Sequence, residues 1–252
     1  MSAAAATCSE IAARYHADGF VNLPGLIDPD TIRRIADAID ELPRRCAHLI
    51  SPDNIRIEYR GEQVWKWDPV IDICPEIAAL TRDPRILEQL RAIYGGRDGR
   101  LFKDKAIIKP AGTGGNGLHQ DYTYWQGFPT SLLTVTVAID GGTRANGCTE
   151  IYPGMHRDGL LHPAGYLGDL DEAVVAGRQP QYFESHPGDV AVFHCFTPHR
   201  AGVNASARAR RQLFLTYCDA RDGDHYAAHY RHMLDYRTRH LPEADRARYR
   251  IR

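Results

Sequence analysis

The chain has no excess of charge. Its 31 Lys+Arg stand against 32 Asp+Glu, a formal net charge of −1. Nucleic-acid and anionic-membrane binders need a basic field, so neither partner is expected. Long apolar runs are missing too. The longest, Leu132 to Ile139, is interrupted by Thr134 and Thr136 and falls far short of the ~20 residues that cross a bilayer. At the start, MSAAAATCSE has no basic segment ahead of an apolar stretch, so no targeting signal is read there. Six scattered cysteines (Cys8, Cys46, Cys74, Cys148, Cys195 and Cys218) include no C-x-x-C pair. They read as reduced, mostly buried thiols, which suits a cytoplasmic location. Also missing are the G-x-S-x-G elbow of a hydrolase and the H-E-x-x-H of a metalloprotease. The glycine-rich stretch Gly112 to Gly117 lacks the Gly-Lys-Ser/Thr ending of a phosphate loop. His225, His229 and His232 follow helical i, i+4, i+7 spacing, but read as a solvated or core-edge face of a late helix.

What is present is an ordinary globular composition, 43% apolar and 25% charged, over 252 residues. A single domain is expected over 1–252, helical to about 100, β-rich from about 101 to 220, and helical in the tail. In the first part, Ser9 can cap a helix over Glu10 to His16. Asp28-Pro29-Asp30-Thr31 opens another, with Ile32, Ile35, Ile39 and Leu42 at helical spacing and Pro43 to stop it. Pro75 and Asp83-Pro84 open two more. From Leu101 the pattern changes to short β-rich runs: Leu101 to Lys109, Leu132 to Ile139, Thr149 to Tyr152, Gln181 to Glu184, Asp189 to Phe193, and Gln212 to Cys218. Loops, not helices, join them. That predicts an antiparallel sandwich or barrel.

The most informative segment is Gly117-Leu118-His119-Gln120-Asp121. On a strand, residues i and i+2 point to one face, so His119 and Asp121 present an imidazole and a carboxylate to one point. This is the H-x-D half of a two-histidine, one-carboxylate triad, which holds non-haem Fe(II) through one face and leaves three positions open. His199, just after the run ending at Phe193, is the candidate third ligand. Arg210 lies further on, and its planar fork can bind the far carboxylate of a dicarboxylic acid in two parallel hydrogen bonds. Arg211 points the opposite way on a strand.

Together these motifs resemble the phytanoyl-CoA dioxygenase-like Fe(II)/2-oxoglutarate oxygenases, over nearly the whole chain. The resemblance rests on Tyr15 to Ile27, on Lys109-Pro110 ahead of Gly117 and His119-Gln120-Asp121-Tyr122, and on Ala138-Ile139-Asp140. It continues through Asn146-Gly147-Cys148, Pro153-Gly154-Met155-His156, and His199 with Asn204, Ser206 and Arg210. Met155 stands where the family usually has serine, and His156 is read as a turn residue. The related halogenases carry a small residue in place of the metal carboxylate; this chain keeps Asp121, which favours oxygen transfer.

The resemblance implies a double-stranded β-helix (a jelly-roll, cupin-like core) with flanking helices. It further implies Fe(II) on His119, Asp121 and His199, with 2-oxoglutarate and O2 as cosubstrates. The expected activity is hydroxylation of an unactivated C–H bond of a small-molecule metabolite, releasing succinate and CO2. An amino acid, phosphonate, free acid or natural-product intermediate is expected as substrate rather than an acyl-CoA. Thr134, Thr136, Ser206 and Lys109 are candidates to assist Arg210 with 2-oxoglutarate. Trp65, Lys66, Trp67, Lys105, Tyr122 and Trp125 are candidates to meet a substrate with an apolar body and an anionic end. Two alternatives stay open: a non-catalytic jelly-roll that binds a ligand, and a metal-dependent isomerase or hydrolase on a cupin-like barrel. The second has no use for Arg210. Nothing in the sequence specifies an oligomeric state.

Overall fold

The computed structural model describes residues 7–251. Residues 1–6, part of the opening stretch in which no targeting signal was expected, and residue 252 are outside the described residues. Eleven strands are found among the described residues. They are β1 (Phe20–Leu23), β2 (Ile57–Arg60), β3 (Gln63–Trp67), β4 (Gly99–Lys109), β5 (Asn116–His119), β6 (Leu133–Ala138), β7 (Thr149–Ile151), β8 (Gln181–Tyr182), β9 (Val190–His194), β10 (His199–Ala201) and β11 (Arg210–Asp219). One antiparallel sheet runs β1-β9-β6-β11-β4-β3-β2, and a second runs β5-β10-β7-β8. The two sheets form the jelly-roll, a β core with flanking helices. Helices α1 (Cys8–Asp18), α2 (Pro29–Arg45), α3 (Pro75–Leu80) and α4 (Pro84–Ile93) come from the first hundred residues, and α5 (Tyr226–Thr238) and α6 (Glu243–Arg246) from the tail. None of the described helices is long and apolar enough to cross a membrane.

Three details of the helical reading are corrected. The cap of α1 is Thr7, not Ser9: Thr7 Oγ1 accepts from Glu10 N at 3.3 Å, and the Glu10 carboxylate accepts from Thr7 N at 2.8 Å. This reciprocal pair satisfies two backbone donors at once, which a lone Ser9 could not. Pro43 does not stop α2 but sits in its last turn, where its missing N–H removes only one backbone hydrogen bond. The first hundred residues also contain β1, β2 and β3. β1 is only four residues long and acquires its partners from β9, with Phe20 opposite Phe193, so no local pattern announces it.

Alternation along the central strands sorts the side chains. Leu133, Val135 and Val137 of β6 and Leu213, Leu215 and Tyr217 of β11 pack with Ile35, Ile39 and Leu42 of α2 and with Ile86 and Leu90 of α4 in the main core. Each such side chain stabilises the fold by roughly 1.5–3 kcal/mol when fully buried. The intervening positions, Thr134, Thr136, Arg210, Gln212 and Thr216, are polar and buried, on the opposite face of the sheet. Arg211 points outward, as its neighbour's role requires. It binds Asp140 at 2.5 Å and reaches α2 through the Ala36 carbonyl at 3.0 Å. The tail helix α5 is fastened over β4: Tyr226 Oη donates to Asp104 Oδ2 at 2.7 Å, and Tyr230 Oη lies 3.2 Å from Asp68 Oδ1.

Candidate active site

His119 ends β5, and His199 begins β10 directly opposite it in register. Their rings stand 4.3 Å apart between centroids. Asp121 is not on the strand: it opens a 3-10 turn over Asp121–Tyr124. Gln120 is still extended (φ −108°, ψ 134°), so the alternation that the H-x-D spacing needs persists one residue past the strand. Gln120 itself is fully buried and fixes the turn. Its amide donates to the carbonyls of Gly159 at 2.7 Å and Phe196 at 2.6 Å, and its oxygen accepts from Leu161 N at 2.8 Å.

The donor atoms of His119, Asp121 and His199 all lie within 4.8 Å of one another, the sole such metal-capable group of three or more among the described residues. His119 Nδ1 contacts the Gly117 carbonyl at 2.8 Å, and His199 Nδ1 contacts the Thr197 carbonyl at 3.0 Å. A carbonyl only accepts, so each Nδ1 carries the proton and each Nε2 offers its lone pair. Burial and the neighbouring His119 push His199 down to about 4, so it is neutral at physiological pH. Burial would raise Asp121, but His199, Lys105 and His119 hold it below the usual carboxylate value. A neutral imidazole and an ionised carboxylate are the protonation states a cation requires. Thr134 Oγ1 donates to Asp121 Oδ2 at 3.1 Å, which orients the carboxylate. Two imidazoles and one carboxylate suit a divalent first-row metal, so the residues fit the implied iron.

Arg210 lies in a narrow cleft lined also by Lys109, Trp65, Asn116, Ala201 and Phe214. Asn116 and Ala201 belong to the strands that carry His119 and His199, so the cleft and the metal donors share β5 and β10. The guanidinium is buried and donates to the carbonyls of Asn146 at 3.2 Å and Gly147 at 3.0 Å, and to the Gln212 side-chain oxygen. No carboxylate pairs with it among the described residues. Lys109 is likewise without an acidic partner; its Nζ reaches the carbonyls of Gly147 and Gly202, and burial with the adjacent Arg210 lowers it to about 8. A buried cation with only neutral partners is electrostatically incomplete, and a bound anion would complete it.

Residues 15–212 match the phytanoyl-CoA dioxygenase family. The chain belongs to that family. Over 129 residues it is 33% identical to a methylphosphonate hydroxylase of Gimesia maris, covering 51% of this chain and 49% of that one. A 2-aminoethylphosphonate dioxygenase from an uncultured bacterium is 29% identical over 161 residues, 61% of this chain and 60% of its own. The chain thus spans about half to three-fifths of the length of these curated relatives. The crystal structure of EctD from S. alaskensis with 2-oxoglutarate and 5-hydroxyectoine superposes with a TM-score of 0.73 at 21% identity, covering 88% of this chain and 79% of that chain. At that identity the likeness extends to the fold.

Within this family framework, the remaining candidates separate by position. Lys66, Lys105 and Trp125 line a second cavity together with His119 and Asp121. Trp65 lies in the Arg210 cleft instead, with the Arg60 guanidinium 4.3 Å from its ring. Trp67 is fully buried in the main core; its apolar surface outweighs its indole N–H, so it is a packing residue and not a substrate contact. Tyr122 is also removed from the cavity, because its hydroxyl donates to the Phe128 carbonyl at 2.7 Å and its ring packs on Phe196. Thr136 donates to the Ala191 carbonyl at 3.3 Å, which occupies the hydroxyl that was to assist the cosubstrate. Ser206 is a turn residue: its hydroxyl donates to Asn204 Oδ1 at 2.7 Å, on a different cleft beside Arg211. His156 sits in the turn Met155–Asp158, outside the metal group.

The structure also adds residues. Lys103, Tyr124, His229, His232, Tyr236 and Arg237 line the cavity next to His119. His229 and His232 were expected on a solvated or core-edge helix face; His229 takes the core side, buried with its ring 4.5 Å from that of Phe102, while His232 is exposed. Burial and Lys103 drive it down to about 2.

Proposed function

We propose that this chain is a single-domain Fe(II)- and 2-oxoglutarate-dependent dioxygenase that hydroxylates an unactivated C–H bond of a small-molecule metabolite. The observation that carries the reading is the pairing of two features. A His-Asp-His donor set, with His199 neutral and Asp121 ionised, is carried on strands that also line a cleft whose buried Arg210 has no acidic partner among the described residues. A hydrolase or isomerase on the same three donors would leave that arginine without a purpose. Family membership supports the same chemistry, and the phosphonates named for two relatives are small, charged molecules.

In this proposal His119, Asp121 and His199 hold the iron. When bound, Fe(II) with 2-oxoglutarate and O2 supplies the oxidant, releasing succinate and CO2 and delivering one oxygen atom to the substrate. The chain's own residues do the positioning. The Gly117 and Thr197 carbonyls keep both imidazoles turned with Nε2 inward, and Thr134 keeps Asp121 from rotating. Arg210 receives the far carboxylate of 2-oxoglutarate in its fork, with Lys109 adding a second positive charge from β4. Tyr124 and Trp125 wall the open side of the donors and limit water there, which protects a reactive oxidant from wasteful side reactions.

The test is turnover of 2-oxoglutarate by the iron-loaded protein against a panel of small amino acids, phosphonates and free acids in air. Succinate formed in equal amount with an oxygenated product supports the proposal. A protein that leaves 2-oxoglutarate untouched, yet isomerises or hydrolyses a panel member with zinc or manganese, would contradict it.

A further inference from the structure

The cavity beside His119 and Asp121 has a volume of about 210 Å3, below the roughly 300–1,000 Å3 of drug-sized sites. Four cations face it: Lys66 from β3, Lys103 and Lys105 from β4, and Arg237 from α5. Their acidic partners number two. Glu58 binds Lys66 at 2.5 Å and also Arg237, while Asp68 Oδ2 lies 3.1 Å from Lys103 and 3.7 Å from Lys66. Asp104 is taken up elsewhere, by the backbone N–H groups of Val70 and Ile71 and by Tyr226. Asp121 belongs to the metal donors. Lys105 has neither an ion pair nor a hydrogen bond among the described residues, and its Nζ stands 4.8 Å from the Phe214 ring centre. The four cations thus share two carboxylates inside a small, walled space, a surplus of two positive charges, and Lys105 alone of the four lacks an ion pair among the described residues. The arrangement is held in place, since α5 is locked to β4 by Tyr226 and Tyr230.

Resting on the oxygenase reading, we propose that the substrate carries a small doubly negative head group, a tetrahedral phosphonate or phosphate dianion, seated on Lys66, Lys103 and Lys105. The carbon to be oxidised then projects toward His119 and Asp121. Lys105 is the specificity-determining residue: it lines the cavity with both the other lysines and the metal donors, its charge is felt by Asp121, and it makes no ion pair or hydrogen bond among the described residues. Trp125 and Tyr236 supply the apolar wall for the short carbon body. The space beside the donors holds a group of few atoms, which suits a short substrate.

The experiment is an anaerobic calorimetric titration of the protein loaded with Fe(II) and 2-oxoglutarate. The probes are n-propylphosphonate, ethyl phosphate, butyrate and butyramide, which differ in head-group charge at similar size. Saturable binding of either dianion, at least tenfold tighter than butyrate and with no binding of butyramide, is expected; comparison of the first two separates a phosphonate from a phosphate ester. Lys105→Met should weaken the preferred dianion at least tenfold while Lys105→Arg retains most of it, with unchanged thermal unfolding confirming that both variants fold. Equal binding of all four probes, no binding of either dianion, or a Lys105→Met variant that binds as wild type would overturn the proposal. 2-Oxoglutarate binding is titrated separately in each protein. Its absence from the wild type would refute the oxygenase reading on which the proposal rests, and its persistence without dianion binding would refute only the head group.

Discussion

Replacing Arg210 with methionine keeps a long unbranched stem and removes the charge and the fork. In the folded protein the guanidinium loses contacts to the carbonyls of Asn146 and Gly147 and to Gln212. Leaving such buried acceptors unpartnered costs about 1–3 kcal/mol each, about 3–9 kcal/mol for the three, offset in part because a buried charge without an acidic partner is removed with them. The effect on the cosubstrate is separate. Two charge-assisted hydrogen bonds to a carboxylate contribute about 1.5–3 kcal/mol each. Their sum, about 3–6 kcal/mol, corresponds to a loss of about 10²–10⁴ in affinity at 1.4 kcal/mol per tenfold. Lys109 remains beside the vacated space and retains part of the attraction, which places the expected loss near the lower end, about 100-fold. The assay is the KM for 2-oxoglutarate measured by succinate release, with thermal unfolding run alongside. A change of less than threefold in a folded Arg210→Met protein would refute the assignment of this cleft to the cosubstrate.

Other consequences follow from individual contacts. Thr134→Val removes the hydroxyl that orients Asp121 at nearly constant volume, and should weaken Fe(II) binding about 10–100-fold; a competition titration with a chelating dye measures it, and unchanged affinity would show that Thr134 is only a packing residue. Gln120→Leu deletes three buried hydrogen bonds around the H-x-D turn and should lower unfolding free energy by about 3 kcal/mol or more in urea. A loss under 1 kcal/mol would refute its bracing role. Acid should destabilise the metal-free protein through His194 and His229, both pushed down by burial, to about 4 and about 2. The unfolded chain takes up protons on these imidazoles below its ordinary value near 6.5, whereas the folded chain does not. Stability is therefore complete above that value and falls as pH drops from about 6.5 toward 4, by up to about 3 kcal/mol per imidazole. Urea unfolding at pH 7 and pH 4.5 checks the sign, and His229→Phe should flatten the slope.

Much of the metal site was legible because its chemistry is local. The H-x-D spacing alone placed His119 and Asp121 on one side of the chain, and the extended Gln120 preserves that geometry even though the strand ends at His119. His199 was placed by resemblance, since β10 has only three residues and its register with β5 is a property of the sheet. Arg210 and Arg211 were told apart by strand alternation, and both face as alternation requires. Elsewhere a general tendency misled. Lysine usually lies in solvent, which hid Lys103 on β4, although Lys105, two residues along the same strand, was among the candidates and does line the cavity. Tryptophan near a candidate site suggests a ligand wall, yet Trp67 is needed in the core. For α5 the only signal in the sequence was the helical spacing of His229 and His232, and nothing in it tied them, or Tyr236 and Arg237, to the site. They reach the cavity because Tyr226 and Tyr230 dock the helix on β4, more than a hundred residues away in the chain.

The central claim, that His119, Asp121 and His199 present iron to a 2-oxo acid held by Arg210, meets its most direct test in one titration. Fe(II)-loaded protein is titrated with 2-oxoglutarate in the absence of oxygen while the visible spectrum is recorded. A saturable metal-to-ligand charge-transfer band in the wild type, absent from Asp121→Ala and requiring far more 2-oxoglutarate in Arg210→Met, is the predicted result. A protein that binds iron but shows no band at any 2-oxoglutarate concentration, or an Asp121→Ala variant with an undiminished band, would contradict it.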